Sequence, residues 1–370
     1  MTNKEPQKLH LLAEWDDRFD SVMVAWPHAL TDWDYMLDQV CACYRELIVS
    51  LCGAGLNVVV VTPDRRETDP HIGDLDSPRL RIVEAHTNDT WTRDYGPLTL
   101  GIPGAGEYAP APGTWGPTEG RAETSAVTPA VFTFNGWGLK FASNLDNQVS
   151  ATLLERAGIA YTDNRPVVLE GGSIESDGRG TILTTTECLL SANRNNFRIK
   201  AEAEAMLSER LGATRVLWLD HGALEGDDTD SHVDTLARLL PGDTIAYVKS
   251  YRPDDPHTPE LDAMERQLTE MTTADGRPYN LVGLPLPEPC LDPETGERLP
   301  ATYANFLITP KGVFMPTYGQ PKNDLMARQM LEMALGDRPV IGVDCCALIR
   351  QHGSLHCATM QITNEIFNRL

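Results

Sequence analysis

One unit recurs five times along this chain: an amphipathic helix, a glycine-containing turn, a short apolar strand, then further short strands. The helices start near residues 32, 146, 199, 259 and 323. In the first, Trp33, Leu37, Val40, Tyr44, Leu47 and Leu51 fall at steps of three and four, which buries one helical face. Thr31 or Asp32 stands where a cap is needed, Gly53 and Gly55 stop the helix, and Val58 to Val61 reads as a buried strand. A unit this small cannot bury its own sheet and helix. The pattern therefore predicts an α/β fold in which five units close around a common axis, with repetition of architecture and not of sequence. A doubly wound sheet would need strict alternation of strand and helix, whereas here two or three strands separate successive helices.

The remaining elements follow from the same signals. Strands are expected at 22–26, 79–83, 166–169, 215–219, 279–284 and 340–343, and helices at 146–157, 199–211, 259–271 and 324–335. Residues 101–129, rich in Gly, Pro, Thr and Ala, read as a long loop insertion, and the Pro-rich acidic stretch 284–300 as a second loop. The whole chain, 1–370, is expected to form a single domain.

Charge narrows the function. Lys+Arg 31 against Asp+Glu 53 gives a net charge of −22, which repels nucleic acid and anionic membranes and favours cationic ligands. The eight cysteines include no CxxC pair, and Cys41/Cys43 and Cys345/Cys346 are too close in sequence for good disulfides or a zinc pattern. That usage suits a reduced, cytoplasmic setting. Residues 1–20 are polar, and no apolar run approaches the roughly 20 residues that span a bilayer. A homo-oligomer is compatible with all of this.

Four places combine reactive side chains with a glycine-lined or strand-end context: 91–94, 170–172, the acidic run 225–234, and 355–357. Each alone has a plainer reading. Asp94 can form a turn before Gly96-Pro97, Asp230 can cap a helix beginning at His232, and a lone buried cysteine is usually a small hydrophobe. Glu170 ends an apolar run, where a carboxylate is costly without a partner.

Together these segments resemble the agmatine deiminase family, a branch of the guanidino-group-modifying superfamily related to bacterial peptidylarginine deiminases. The resemblance rests on WTRDYGP (91–97), FNGWGLK (134–140), EGGSIESDGRGTILTTTECLLSANRN (170–195), EGDDTDSHVDTLAR (225–238) and HGSLHCAT (352–359), with AWPH (25–28) and YANF (303–306) in support. It implies a five-bladed α/β propeller (pentein) of ββαβ units with pseudo-fivefold symmetry. It also implies hydrolysis of agmatine to N-carbamoylputrescine and ammonia through an amidino-cysteine intermediate, without metal or cofactor. By matching position, Cys357 is the nucleophile, His232 the general acid and base, Glu170 its orienting partner, and Asp94 and Asp234 the carboxylates that clamp the guanidinium. Trp91 is placed to lie along the substrate's methylenes, and the acidic run Glu225, Asp227 and Asp228 to meet its far amine. Peptidylarginine deimination and amidino transfer are the enzymatic alternatives, and a propeller binding module the non-enzymatic one. Three departures stand out: Ser231 where TDGH has glycine, Glu175 where a histidine is common, and 352–355 in place of a glycine-rich approach to the cysteine.

Overall fold

The computed structural model describes residues 8–75, 77–103, 127–336 and 338–370. They form five small sheets built to one plan. In each, a central strand is followed by a helix, and the strand after the helix returns parallel to the first. The helices that make these crossovers are Leu37–Gly53, Asp146–Arg156, Lys200–Leu211, Thr258–Glu270 and Pro321–Leu335. The parallel pairs they join are Ser21–Ala25 with Asn57–Thr62, Val127–Thr133 with Thr162–Val168, Thr181–Thr185 with Arg215–Leu219, Thr244–Lys249 with Asn280–Pro285, and Gly312–Thr317 with Val340–Asp344.

Each central strand also takes an antiparallel neighbour on its other side. These are Met360–Ile362, Leu98–Gly101, Ile174–Ser176, Ala237–Leu240 and Leu307–Thr309. The first comes from the C-terminal end of the chain and completes the sheet that begins at Ser21. His10–Leu11 and Leu80–Glu84 add a fourth strand to two of the sheets.

Burial explains why the pattern was readable. Val58 to Val61 are all inaccessible, and the helix over them buries Val40, Tyr44, Leu47, Ile48 and Leu51. Each such side chain removed from water contributes about 1.5–3 kcal/mol. Lys200–Leu211 stops at Gly212, whose φ of +71° only glycine takes without strain and whose absent Cβ would lie 1.9 Å from the Leu9 carbonyl oxygen.

Several expectations need correction. The first α-helix starts at Leu37, after a single 3₁₀ turn over Asp34–Met36, and neither Thr31 nor Asp32 caps it. The strand expected to be buried at 166–169 runs over Thr162–Val168 and is largely accessible, with a register shift beside Phe132 and Thr133. Arg65–Ile72 is an additional helix; its polar composition and Pro70 hid it. Gly101 closes one strand and pairs with Val127 of the next, so the expected insertion is shorter than 101–129, and 104–126 lies outside the described residues. The second loop starts after Pro285 and is pinned by a bridge between Leu291 and Arg298. Among the described residues no helix is long and apolar enough to cross a membrane.

Candidate active site

Each of the five strands antiparallel to a central strand is entered through a short turn, and those turns converge. The turn before Leu98–Gly101 carries Asp94, and the one before Ile174–Ser176 follows Glu170. Val233–Thr235, ahead of Ala237–Leu240, carries Asp234 with His232 just before it. Asn305 precedes Leu307–Thr309 and Cys357 precedes Met360–Ile362. Backbone bonds stitch the turns to one another: Arg93 N donates to Cys357 O at 3.1 Å and His356 N to Asn305 O at 3.2 Å. The repeat that makes the fold thus delivers one reactive turn from every sheet.

The five predicted polar residues meet in a buried cluster. His232 Nε2 lies 3.2 Å from Glu170 Oε2, and its Nδ1 lies 3.7 Å from Asp94 Oδ1. Glu170 is itself held by Arg194 Nε at 2.7 Å, and Arg194 reaches Asp230 Oδ2 at 2.6 Å and Thr229 O at 2.8 Å. Asp230 therefore braces the histidine's partner instead of capping a helix. Asp94 accepts from Gly172 N and from Trp137 Nε1, both at 2.9 Å. Asp234 Oδ2 accepts from His356 Nδ1 at 2.8 Å and stands 3.6 Å from Cys357 Sγ. His232 Nδ1 and Asp234 Oδ1 are buried with no hydrogen-bond partner among the described residues, so both lack the bond a buried polar atom ordinarily makes.

Asn305 went unassigned in the sequence because an amide offers no titratable signal. Its Nδ2 lies 3.3 Å from Cys357 Sγ, and its Oδ1 accepts from His356 N at 2.9 Å. YANF occupies the same place in its unit as the other reactive turns, and that equivalence could have found it.

Behind Asp234 lies a second ionic layer. Arg238, fully buried, pairs with Glu175 and with Glu14 Oε2 at 3.0 Å, and it also bonds the Phe306 carbonyl. His356 Nε2 reaches the same Glu14 oxygen at 2.6 Å, and Arg93 approaches it at 3.4 Å. The unusual Glu175 is explained: it is the partner of Arg238. Two clusters, Glu170–Cys188–His232 and Glu14–Glu175–His356, bring ligand-type atoms within 4.8 Å of one another. In each an arginine guanidinium already supplies the cation, Arg194 in the first and Arg238 in the second. A metal ion would have to displace it.

Burial and charge set the protonation states. Burial, then Asp234 and Asp94, push the Cys357 thiol well above its usual range. For His232 burial opposes the charge, but Asp94 first, then Cys188 and Glu170, outweigh it and raise the ring well above the ordinary histidine value. Burial raises Asp94, and Asp234 and Glu170 add to that against the pull of His232 and the Trp137 bond. Burial would likewise raise Asp234 and Glu170, but His356 holds the first down, and His232 with Arg194 the second.

A narrow pocket opens above Asp94 and Cys357, walled by Trp91, Trp137 and Phe141. Its free volume is about 20 Å³, so a chain-like ligand must displace rim side chains. Trp91 packs on Gly353, where a Cβ would lie 2.3 Å from the indole ring. Asp32, Asp89 and Asp228 also line the pocket, and among the described residues no lysine or arginine does. Burial pushes Asp89 up to about 7 and Asp228 to about 6. Of the acidic run, only Asp228 reaches this pocket. Asp227 bonds its own loop at Thr229 and Ser231, and Glu225 lines a separate open cleft of about 640 Å³ that shares Gln351 and His352 with the pocket. Ser231 sits at φ +59°, the conformation for which the glycine of TDGH is suited.

Gly172 occupies the point where three site residues face each other. A Cβ there would lie 2.7 Å from His232 Nδ1, 2.9 Å from Asp94 Oδ1 and 3.1 Å from Asp234 Oδ2. Gly172→Ala is therefore expected to cut kcat/KM by about a hundredfold or more while the melting temperature changes little, since a misplacement of about 1 Å has that effect. Steady-state kinetics beside a melting curve measures both, and normal turnover would mean that these groups do not act at this point.

A family model described as Porphyromonas-type peptidyl-arginine deiminase matches residues 10–363. The agmatine deiminase of Ectopseudomonas mendocina (strain ymp) is 30% identical over 381 residues, covering 97% of this chain and 97% of its own. That of Pseudomonas syringae pv. tomato is 30% identical over 373 residues, covering 95% of each. Among solved structures, a cysteine-to-serine variant of C. jejuni agmatine deiminase with substrate bound superposes with a TM-score of 0.85 at 30% identity, over 98% of this chain and 99% of that one. A Porphyromonas gingivalis chain provisionally named an arginine deiminase gives 0.83 at 40% identity, over 97% and 99%.

Proposed function

This chain belongs to the Porphyromonas-type peptidyl-arginine deiminase family, and we propose that within it the protein acts as an agmatine deiminase. It is a hydrolase of guanidino C–N bonds that converts agmatine to N-carbamoylputrescine and ammonia. The observation that carries the choice of substrate is the pocket lining: Asp89 and Asp228, half-buried, with Asp32 exposed beside them and, among the described residues, no arginine to receive an α-carboxylate. Such a lining suits a molecule cationic at both ends.

In this reading Asp94 and Asp234 take paired N–H bonds from the guanidinium and fix its plane against Cys357. The resting thiol becomes a thiolate as the cation binds, because the bound charge offsets the two carboxylates that had opposed ionisation, and its proton leaves to solvent. Sγ attacks the central carbon. His232, protonated at rest, gives its proton to the departing nitrogen, and ammonia leaves an amidino-cysteine. The neutral imidazole then draws a proton from water, and hydroxide attacks the same carbon. Collapse expels the sulfur as thiolate while the added hydroxyl loses its proton to solvent, which frees the neutral ureido product. Glu170, steadied by Arg194, keeps His232 oriented and easy to protonate. Trp91 lies along the methylenes. We further read the five sheets as blades of one α/β propeller domain spanning 1–370, the C-terminal strand completing the first blade. Eight unpaired thiols support a cytoplasmic setting.

One observation favours a second substrate. The open cleft beside the pocket has room for a peptide, which suits peptidylarginine deimination. Ammonia release from agmatine, free arginine and a peptide with an internal arginine separates the two. Turnover confined to the peptide would overturn the agmatine assignment and keep the chemistry.

The acidic pocket also makes a pH prediction. Asp89 and Asp228 are largely neutral below about pH 6 and become carboxylates as pH rises through 6 and 7. A cationic tail binds only the ionised form well. KM for agmatine is therefore expected to fall between pH 5 and 8 by about tenfold more than KM for n-butylguanidine, of equal length without the amine. Asp94 affects both substrates alike, so the ratio isolates the tail. A constant ratio would remove these aspartates from recognition.

A further inference from the structure

The motif FNGWGLK contains a turn of the opposite hand. Gly136, Trp137, Gly138 and Leu139 follow one another at φ of 68°, 53°, 83° and 70°. Leu139 N bonds Asn135 O at 2.9 Å and Lys140 N bonds Gly136 O at 3.0 Å, so this is one turn of left-handed helix. For L-residues that hand drives Cβ against the following carbonyl, and it ordinarily occurs at single positions. Two of the four residues here carry full-sized side chains.

The turn is held from several sides. Asn135 Oδ1 accepts from Gly138 N at 2.9 Å while its Nδ2 donates to Asn193 O at 2.7 Å. Lys140 Nζ donates to Asp230 Oδ1 and to Asp228 O, each at 2.6 Å, tying the turn to the loop that carries His232. At Gly136 a Cβ would lie 2.1 Å from the Phe141 carbonyl oxygen. The outcome is one well-defined placement: the Trp137 ring stands edge-on between Phe134 and Phe141, at 4.8 and 5.4 Å, and its Nε1 lies 2.9 Å from Asp94 Oδ2.

We propose that Trp137 is a positioning residue for guanidinium binding, and that the left-handed turn exists to deliver its indole N–H to Asp94. The two other carboxylates of the site are held by ionic partners, Glu170 by Arg194 and Asp234 by His356. Asp94 takes both of its hydrogen bonds from neutral donors, Gly172 N and Trp137 Nε1, while His232 Nδ1 faces it at 3.7 Å, beyond hydrogen-bond reach. These neutral donors stop rotation of the carboxylate without adding to the positive charge that His232 already sets against it. Each oxygen keeps a lone pair for the substrate cation. A strained backbone held from all sides at a ligand clamp is where such strain persists. The inference rests on the reading of Asp94 as a substrate clamp.

The test uses the full chain in a Cys357→Ala background, which binds without turnover, with agmatine and an arginine-containing peptide as calorimetric probes. Trp137→Phe keeps the ring and removes the N–H. It is expected to weaken binding of the preferred probe by about ten- to a hundredfold, the range for a hydrogen bond to a charged group. In an added Asp94→Asn background the same change is expected to cost less than about threefold, because coupled residues share one effect. In the enzyme with its thiol intact, the acid limb of kcat/KM should move to higher pH. His232, Asp234, Glu170 and Cys357 also face Asp94, but none of them bonds the indole. Wild-type affinity in Trp137→Phe would overturn the proposal, as would an equal loss with and without Asp94. If Asp94→Asn alone leaves binding intact, or neither probe binds, the clamp reading fails and the inference with it. Should Trp137→Phe melt early, Gly138→Ala, which strains the turn without touching Asp94, is expected to give the same Asp94-dependent loss.

Discussion

Cys357→Ala is expected to release no measurable ammonia from any guanidine, a loss of about 10⁴-fold or more, the scale on which nucleophile deletions fall. The same variant should melt within a few degrees of the wild type and still bind substrate. The thiol is buried, and its neighbours are two carboxylates and an amide, so removing it takes away one small apolar group and no ion-pair partner. The free enzyme holds the sulfur as a thiol, because burial, Asp234 and Asp94 all oppose the thiolate. Alkylation by iodoacetamide should accordingly be slow in the free enzyme near pH 7 and quicken when a small guanidinium compound fills the clamp without shielding the sulfur. Retained turnover in Cys357→Ala would mean that another group attacks. Rapid alkylation of the free enzyme would mean that the thiolate forms without the substrate's charge.

Much of this was legible because the fold repeats a pattern that physical periodicity exposes. Helical spacing of three and four located the first crossover helix, and the recurring order of helix, turn and apolar strand located the other four. The β-branched run at Val58 to Val61 located a strand buried on both faces. The misses have physical causes. Thr162–Val168 looks apolar toward its end, yet it is the last strand of its sheet and faces solvent along much of its length. Arg65–Ile72 buries only Thr68 and Ile72, too little to leave a periodic trace.

At the site, Cys357, His232, Glu170, Asp94 and Asp234 are reactive residue types next to glycine or at strand ends, but each alone has a plainer reading and only the joint resemblance of the motifs singles them out. The structure brings all five together. Trp91 and Asp228 line the pocket above them. The supporting layer was invisible. Glu14 meets Arg238 across 224 positions of sequence and His356 across 342, and no local signal spans such distances. Asn305 and Trp137 present an amide and an indole to the site, and neither group titrates at any ordinary pH. Glu175 read as a departure because its meaning lies in a partner, Arg238, that a linear scan does not connect to it.

The two clamp carboxylates are expected to fail differently, and the difference tests the assignment of roles. Asp94→Asn loses one negative charge and turns an N–H₂ group toward Gly172 N or Trp137 Nε1, both of which are donors. Asp234→Asn sets an amide against His356 Nδ1 and against Cys357 Sγ. Truncating one partner of a buried, hydrogen-bonded charge pair between binding partners costs about 2–5 kcal/mol, so each variant should lose about thirty- to several-thousandfold in kcat/KM. In Asp94→Asn much of the loss should appear as weaker binding. Asp94 is also the foremost carboxylate that holds His232 in its charged form. Its removal lowers the pH at which the imidazolium gives up its proton, and the leaving nitrogen needs that proton. The basic limb of kcat should therefore move to lower pH in Asp94→Asn. In Asp234→Asn the sulfur's own neighbour is altered, so kcat should fall at every pH. Steady-state profiles from pH 5 to 10 read both effects. If both variants kept kcat/KM within threefold of wild type, the clamp would have to be sought elsewhere. If Asp94→Asn lost activity with an unmoved basic limb, His232 would not be the proton donor to the leaving group.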